Sequence, residues 1–299
     1  MPKNILLVNP KIPEDTYWSF HNSLKFIGKK SAMPPLGLIT VAGMLDRYNL
    51  KLIDENVETL ADEHLKWADM VFTSSMYIQC KSLDAVISRA KQFNKIIVAG
   101  GAYPTQFYDK INGVDHFVLG EAETGVLERF LHDIERGNAK RAYARFVLRK
   151  NEAGNRIDRS EFQRMVAYFN HEGDIQIIDS RPDIEKSPVP RYDLLRMGDY
   201  ELMATQLSRG CPHNCEFCSE PSMFGHMPRL KSADRFIEEL VVIYDLGHRG
   251  PVFVVDDNFI GSIKKVKQVL PAIEAFQRQR GYPFSFSTEA SINLSEDDG

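Results

Sequence analysis

The chain has 299 residues, of which 43% are hydrophobic and 26% charged, and its formal net charge is -4. This length suits about two domains of ordinary size, and the composition excludes a disordered chain. The slightly negative charge offers no basic surface for nucleic acid. No apolar run reaches the ~18 residues of a membrane-spanning helix. We therefore expect neither a nucleic-acid partner nor an integral membrane segment.

The cysteines indicate a reducing compartment. The chain has four, and three of them lie close together, which is unlike a disulfide framework. The amino terminus leads directly into the short apolar run Ile5–Val8, which is too brief for a secretory signal peptide. We expect a cytoplasmic protein.

Residues 1–135 alternate short apolar runs with helical patterns. The apolar runs are rich in branched residues and sharply bounded, as buried parallel strands are. Strands are expected at Ile5–Val8, Lys51–Ile53, Met70–Ser74, Ile96–Ala99 and His116–Leu119, and helices at Leu36–Arg47, Glu58–Trp67, Ser82–Phe93 and Glu121–Ile134. This alternation predicts an α/β domain with a doubly wound parallel sheet, whose ligand site lies beyond the carboxyl ends of the strands.

The pattern weakens between 136 and 198, and we interpret this stretch as a connector with a small hairpin, because Pro188 and Pro190 disfavour helix in the residues before them. From 199 to 299 the alternation resumes. Strands are expected at Met203–Ser208, Val252–Val255 and Phe284–Thr288, and helices at Ala233–Leu246 and Ile263–Gln279. A parallel barrel closes with about six to eight such units. We therefore expect the first part of a (β/α) barrel, ending in mid-fold.

The most informative motif is a cysteine cluster. Cys211, Cys215 and Cys218 have the spacing C-x-x-x-C-x-x-C, and Phe217 precedes the last of them. Three thiolates can bind three corners of a 4Fe–4S cube, which leaves one iron open to a small molecule.

Two other interpretations of the cluster remain. Zinc prefers four protein ligands, so His213 or His226 would have to be the fourth. A structural cluster would need a fourth cysteine, but we interpret the remaining Cys80 as a packed thiol of the first domain.

The motif, which follows a strand and opens a strand–helix succession, resembles that of the radical S-adenosylmethionine (SAM) enzymes. The resemblance implies that the three cysteines hold a 4Fe–4S cluster, whose open iron chelates the amino and carboxylate groups of SAM. It also implies four SAM-binding side chains at the loop and at the strand ends, namely Phe217, Asp256, Asp257 and Glu289. Phe217 would contact the adenine ring, and the carboxylates would accept hydrogen bonds or face the substrate. The alternatives are a core aromatic for Phe217, a helix cap for either aspartate and a surface carboxylate for Glu289.

The first domain resembles the cobalamin-binding domain attached to many radical SAM enzymes. The resemblance rests on motifs at successive strand ends, and it implies six cobalamin-binding residues: Ser74, Ser75, Gly100, Gly101, Gly120 and Glu121. The small residues among them, Ser74, Ser75, Gly100 and Gly101, let the backbone approach a flat, bulky corrin without a side-chain clash.

One departure concerns the cobalt ligand. Many cobalamin domains carry D-x-H-x-x-G, but here Asp62-Glu63-His64 is followed by Trp67 where glycine is required. We therefore expect cobalamin without a histidine ligand from this domain. The aromatic side chains of Tyr17, Trp18 and Phe20 would either cover the lower face of the corrin or pack in a core.

Together these resemblances imply a cobalamin-dependent radical SAM enzyme that cleaves SAM reductively to a 5′-deoxyadenosyl radical and transfers methyl to an unactivated carbon. The segments Tyr17–Phe20 and Lys29–Gly37 resemble the subgroup that includes hopanoid C2 methylases. The implied partners are a small-molecule substrate, of which a lipid-like compound is one option, and an electron donor such as flavodoxin or ferredoxin. Oxidative cyclisation, ring rearrangement, and a corrinoid- or metal-binding module without turnover remain as alternatives, and no catalytic residue is assigned.

Overall fold

The chain forms two compact units in the computed structural model, which describes residues 3–145, 168, 175–178 and 183–296. The first unit comprises Met1–Pro13 with Met44–Pro182, and the second comprises Glu14–Gly43 with Asp183–Gly299. Across the described ranges, every helix is too short or too polar to cross a bilayer.

The first unit is built on a seven-stranded parallel sheet. Its strands are β1 Asn4–Asn9, β2 Asn49–Asp54, β3 Met70–Ser74, β4 Ile96–Gly100, β5 His116–Leu119, β6 Ala142–Arg145 and β7 Ile175–Ile178. They lie in the order β2-β1-β3-β4-β5-β6-β7. The order changes direction between β1 and β3, and in open sheets of this type ligands bind outside the carboxyl ends of the strands at such a switch point.

Helices connect the strands and cover the sheets. In chain order they are α1 His21–Ile27, α2 Leu36–Gly43, α3 Asp62–Trp67, α4 Cys80–Gln92, α5 Ala102–Phe107, α6 Val126–Glu135, α7 Glu220–Phe224, α8 Ala233–Asp245 and α9 Ile263–Gln279. In the first unit, the inner face of α4 packs on the strands through Leu83, Val86 and Ala90, which are all buried. Its buried residues recur at the helical spacing of about 3.6 residues per turn, so the helix is amphipathic, as its sequence predicts.

The second unit contains three parallel strands in the order β12-β11-β8. They are β8 Met203–Thr205, β11 Gly250–Val254 and β12 Phe284–Thr288, and the helices α8 and α9 form their crossover connections. Two short strands, β9 Ser208–Arg209 and β10 Arg229–Leu230, pair in antiparallel fashion. The predicted fold class, a doubly wound domain followed by three strand–helix units of a barrel, is confirmed.

The compact units do not follow the predicted boundaries at 135 and 198. Strands β6 and β7, in the stretch predicted as a connector, pair in parallel with β5 and extend the first sheet. Residues 14–43 pack with the second unit, where the amides of Lys30 and Ser31 donate to the carbonyl oxygen of Asp199 at 2.9 and 3.2 Å. Backbone pairing between distant segments is invisible to local periodicity. The remainder of the predicted connector before residue 183 lies largely outside the described residues.

A buried ion pair stabilises the second unit. The Nζ of Lys231 lies 2.5 Å from the Oε1 of Glu239, and the two side chains are 4% and 0% exposed. The hydroxyl of Thr205 donates to the other carboxylate oxygen of Glu239 at 2.7 Å, which ties β8 to α8. Burial lowers the pKa of Lys231, although the charge of Glu239 opposes this.

Replacing one partner of this pair should be costly. We expect Lys231→Met to lower the free energy of unfolding by about 3–5 kcal/mol, because it leaves the carboxylate of Glu239 buried without its cation. The double variant Lys231→Met with Glu239→Leu should lose much less. Urea unfolding measures both, with Lys186→Met at the exposed pair with Asp183 as the matched control. Equal losses in the single and double variants would contradict this account.

Candidate functional site

Five of the six predicted cobalamin-binding residues lie at or just after the carboxyl ends of β3, β4 and β5, and the sixth follows directly. Ser74 pairs in register with Gly100, and Gly100 with Val118, so the ends of these strands are side by side. Ser75 and Glu121 are buried, at 4% and 3% exposure. Parallel pairing therefore brings residues from three separate segments to one edge of the sheet, beside the switch point.

The backbone at this edge has no room for side chains at two glycines. Gly101 has φ +88°, and a Cβ built on it would lie 2.3 Å from the Oγ of Ser74. A Cβ on Gly100 would lie 2.9 Å from the carbonyl oxygen of Val118. Gly120 donates its N–H to the hydroxyl of Thr105 at 3.0 Å. The glycines thus allow neighbouring strand ends to approach each other closely, and their approach to a corrin stays a prediction.

Two hydroxyls at the end of β3 are buried without a hydrogen bond in the described part of the chain. The Oγ1 of Thr73 and the Oγ of Ser75 are inaccessible and form no hydrogen bond with any described residue. A buried polar group left unbonded costs about 1–3 kcal/mol. A ligand rich in amide groups, as cobalamin is, would satisfy such hydroxyls, so the donor set and the narrow glycine backbone fit this cofactor.

The sequence analysis missed Gln79, which bridges the two loops at the switch point. Its Nε2 donates to the Oδ1 of Asn9 and to the carbonyl oxygen of Pro10, and its Oε1 accepts from the N–H of Met76 at 2.8 Å. The side chain is 2% exposed. Its position in the loop before α4 carries no recognisable local signal, because the role depends on Asn9 and Pro10, far away in sequence.

His64 lies on α3, where its Nδ1 accepts a hydrogen bond from the N–H of Ala61 at 3.1 Å. It thus serves the start of its own helix. Cys80 is a free thiol that packs against the hydrophobic core of the first unit.

In the second unit, the cysteine loop begins directly after β9. Cys211 and Cys218 are half-buried and Cys215 is exposed, and all three are free thiols. The N–H of Cys211 donates to the carbonyl oxygen of Gly225 at 3.1 Å, and that of Cys218 to the carbonyl oxygen of Cys215 at 3.0 Å. The base of the loop is thus held by the backbone while its tip is open to solvent.

No three His, Cys, Asp or Glu side chains within the described ranges lie close enough together to hold a single metal ion. A four-iron cube makes a different demand, because each cysteine binds its own iron and the thiolates remain farther apart than the ligands of one ion. Three thiolates on one exposed loop are the donor set that such a cube prefers, and they fit it.

The two aspartates after β11 hold the base of this loop. Asp256 is 2% exposed. Its Oδ1 accepts from the N–H of Leu207 at 2.8 Å and its Oδ2 from the hydroxyl of Ser208 at 2.6 Å. The Oδ2 of Asp257 accepts from the N–H of Gly210 at 3.0 Å. Neither caps α9, whose capping position is occupied by Ser262.

The sequence analysis missed Glu220, whose carboxyl group lies near that of Asp257 beside the cysteine loop. Burial raises the pKa of Glu220 to about 8, and the carboxylates of Asp257 and Glu289 add to the rise. These three carboxylates, from the end of β11, the end of β12 and the start of α7, define an acidic cluster. Only the position of Glu220 directly after the cysteine motif could have drawn attention to it.

Phe217 and Glu289 are exposed. Phe217 is 94% exposed, so it is not a core aromatic, and its ring is open to solvent on the cysteine loop. Glu289 follows the end of β12, and its carbonyl oxygen accepts from the N–H of Phe259 at 2.9 Å. The roles of these two residues toward SAM remain predictions.

Comparison with known proteins bears on both units. The family model of the B12 binding domain matches residues 29–129. The chain is 36% identical to an uncharacterized methyltransferase of Synechocystis sp. over 98% of its own length and 48% of the relative. It is 29% identical to the hopanoid C-2 methylase of Rhodopseudomonas palustris, over 98% of the chain and 50% of that protein. Residues 29–129 thus match a B12 binding domain, and over nearly its whole length the chain is similar to methyltransferases. It spans about half the length of these curated relatives.

Two solved structures share the fold of this chain at low sequence identity. The cobalamin-dependent SAM radical enzyme OxsB, solved with aqua-cobalamin and SAM, matches with a TM-score of 0.62 and 16% identity over 95% of this chain and 38% of its own. The radical SAM methyltransferase TsrM of Kitasatospora setae, solved with cobalamin and a [4Fe-4S] cluster, matches with a TM-score of 0.63 and 14% identity over 95% of this chain and 53% of its own.

The close packing at Gly100 and Gly101 gives the first prediction for this site. We expect Gly101→Ala to weaken the retention of added cobalamin by about tenfold or more, because its Cβ would collide with Ser74. Gly137→Ala is the matched control: Gly137 also has positive φ, at +71°, but no atom lies within 4 Å of the position that the alanine methyl group would take. In both variants an alanine has to adopt a positive φ, so the backbone strain is similar and only the collision with Ser74 differs. Equal corrin absorbance after gel filtration would contradict the expected difference.

The buried carboxylate of Asp256 gives a pH-dependent prediction. Burial raises its pKa to about 6 from the ordinary 3.8, and the charge of Asp257 adds to the rise. The folded chain therefore binds a proton that the unfolded chain releases between these values, so the contribution of Asp256 to stability falls as pH rises from 4 to 6. The fall is roughly 3 kcal/mol, at about 1.4 kcal/mol per unit.

Urea unfolding of cluster-free protein checks this. The stability of Asp256→Asn relative to wild type should increase between pH 4 and pH 7. Asp133→Asn should instead keep a nearly constant difference from wild type over this range, because the pKa of Asp133 is lowered below the ordinary 3.8 and the group is already ionised in both states. Burial opposes this lowering, but hydrogen bonds from His132, Tyr143 and Arg129 outweigh it. A constant difference between Asp256→Asn and wild type across this range would contradict the prediction.

Proposed function

We propose that the protein is a cobalamin-dependent radical SAM enzyme that cleaves SAM reductively to a 5′-deoxyadenosyl radical and transfers a methyl group to an unactivated carbon. One observation carries the proposal: a loop with three free thiols follows a strand of the second unit in a chain that also matches the B12 binding domain. The names of the relatives support methyl transfer as the outcome.

The acidic cluster supports a binding site for the cationic part of SAM. Asp257 and Glu289 lie beside Glu220, whose raised pKa of about 8 keeps it largely protonated until a cation binds nearby, and SAM carries a sulfonium and an ammonium group. Carboxylates form charge-assisted hydrogen bonds with an ammonium. The exposed ring of Phe217 offers an apolar face for the adenine, as its position in the motif implies.

The edge of the first sheet is proposed to hold cobalamin. Gly100 and Gly101 let the ends of β3, β4 and β5 pack closely together, and the hydroxyls of Thr73 and Ser75, which bond to no described residue, are available for hydrogen bonds at this edge. His64 already serves its own helix, which supports the expectation of cobalamin without a histidine ligand from this domain. When bound, the cluster supplies an electron to SAM and cobalamin carries the methyl group, so the protein itself needs only to bind, orient and exclude water.

The substrate is proposed to be a small molecule of lipid-like character, in keeping with the similarity to a hopanoid methylase. We further propose that flavodoxin or ferredoxin supplies the electron, and that the protein works in a reducing cytoplasm, where an open iron is protected from oxygen. These assignments concern the whole enzyme, of which this chain covers about half the length of the curated relatives.

Alanine substitution of the cysteines tests the cluster. We expect Cys211→Ala, Cys215→Ala and Cys218→Ala each to abolish iron and sulfide binding in protein reconstituted without oxygen, because a cube held by two thiolates is lost. Cys80→Ala, at the packed thiol in the first unit, is the matched control and should retain wild-type iron. Metal analysis and visible absorbance measure the result.

Turnover then separates the candidate activities. The reduced wild-type protein should form 5′-deoxyadenosine from SAM, and labelled methyl should enter a carbon product. Product without label would favour cyclisation or rearrangement, and cofactor binding without cleavage would favour a binding module. A colourless protein that binds zinc would contradict both cofactor assignments.

A further inference from the structure

We propose that Asp256 is a positioning residue that sets the base of the cysteine loop, and that it does not bind SAM. This inference rests on the proposed function, since the loop matters through the cluster that it would hold. It replaces the role in SAM binding that the resemblance assigned to Asp256 and leaves that role to its neighbour Asp257.

Both carboxylate oxygens of Asp256 are bonded within the protein and shielded from solvent. Its Oδ1 accepts from the backbone N–H of Leu207, and its Oδ2 accepts from the hydroxyl of Ser208. The residue is 2% exposed. SAM would have to open the surrounding packing to reach it, whereas Asp257 and Glu220 are only partly buried.

Both contacts fall on the segment that leads into the first cysteine. Leu207 and Ser208 lie shortly before Gly210 and Cys211, and Asp257 adds a third contact through the N–H of Gly210 at 3.0 Å. The two aspartates that follow β11 therefore bond three residues of the short segment that leads into the cysteine loop. This segment, from Leu207 to Gly210, is the stem of the loop. The remaining support comes from the backbone: the two residue pairs of β9 with β10, the bond from the N–H of Cys211 to Gly225, and the bond from the N–H of Lys231 to the carbonyl oxygen of Leu207.

Asp256 is poorly suited to a purely structural role. Burial without a compensating cation disfavours its charged form, and none of the described Lys, Arg or His residues forms an ion pair with it. Glu239, an equally buried carboxylate of the same unit, is neutralised by Lys231. A buried carboxylate without a cation is costly for folding. The orientation of the cysteine loop is the function that accounts for its presence.

Two variants at one contact distinguish positioning from SAM binding. Asp256→Asn weakens the short bond to the hydroxyl, and Ser208→Ala removes the hydroxyl while leaving Asp256 in place. Ser208 is 2% exposed and its hydroxyl already donates to Asp256, so we expect no direct contact between Ser208 and SAM. If Asp256 positions the loop, the two variants should behave alike. If it binds SAM, only the substitution of Asp256 should weaken SAM binding.

The experiment uses the whole chain, reconstituted without oxygen with iron and sulfide. We expect both variants to lose iron about tenfold faster than wild type under a chelator, as for residues that support metal ligands. Both should also broaden the electron paramagnetic resonance signal of the reduced cluster before SAM is added. Their dissociation constant for SAM, measured on the fraction that retains a cluster, should stay within about twofold of wild type.

Asp133→Asn is the matched control for loss of a buried carboxylate, because Asp133 is also 2% exposed but belongs to the first unit. It should leave iron loss unchanged whatever it does to stability. Wild-type iron loss in both loop variants, or tenfold weaker SAM binding in Asp256→Asn alone, would overturn the inference. Failure of wild type itself to hold a cluster would instead overturn the proposed function.

Discussion

In each unit the strands of the main sheet run parallel to their neighbours, so the residues that follow the strands meet along one edge. This constraint places Ser75 beside Gly101 in the first unit, and Asp256 beside the stem of the cysteine loop in the second. Helical crossovers must return each strand to the same starting edge, and this leaves the carboxyl edge free for loops. The candidate sites of the chain lie at these two edges because parallel pairing brings loops from distant segments together there.

Buried carboxylates differ according to what compensates their charge. Asp133 in the first unit receives bonds from two basic side chains and a tyrosine, and Glu239 in the second has a lysine. Asp256 and Glu220 have no such cation among the residues that the structure describes, and burial raises the pKa of each. The compensated carboxylates lie within the scaffold, whereas the uncompensated ones flank the cysteine loop. Raised pKa values of this kind cluster at functional sites more often than within a scaffold.

Local periodicity predicted the regular elements well, because buried strands and amphipathic helices have strong patterns. Strands β3 and β5 begin and end where the apolar runs do. The errors arose where a backbone feature interrupts a pattern. The helix predicted from Glu121 begins instead at Val126, because Gly125 has φ +86° and ends a preceding short turn. Strand β6 escaped notice because its residues, Ala142-Tyr143-Ala144-Arg145, contain no run of branched apolar side chains.

The sequence by itself determined the cysteine spacing, the order of strands and helices, and the small residues at the strand ends, since each of these is encoded within a few neighbouring positions. It could not determine which carboxylates are occupied by the protein's own hydrogen bonds. Asp256 and Asp257 are chemically identical neighbours, and only tertiary packing turns one inward to Leu207 and Ser208 and leaves the other partly exposed. The gathering of Glu220 with Glu289, and of Gln79 with Asn9, likewise depends on contacts between segments far apart in the chain.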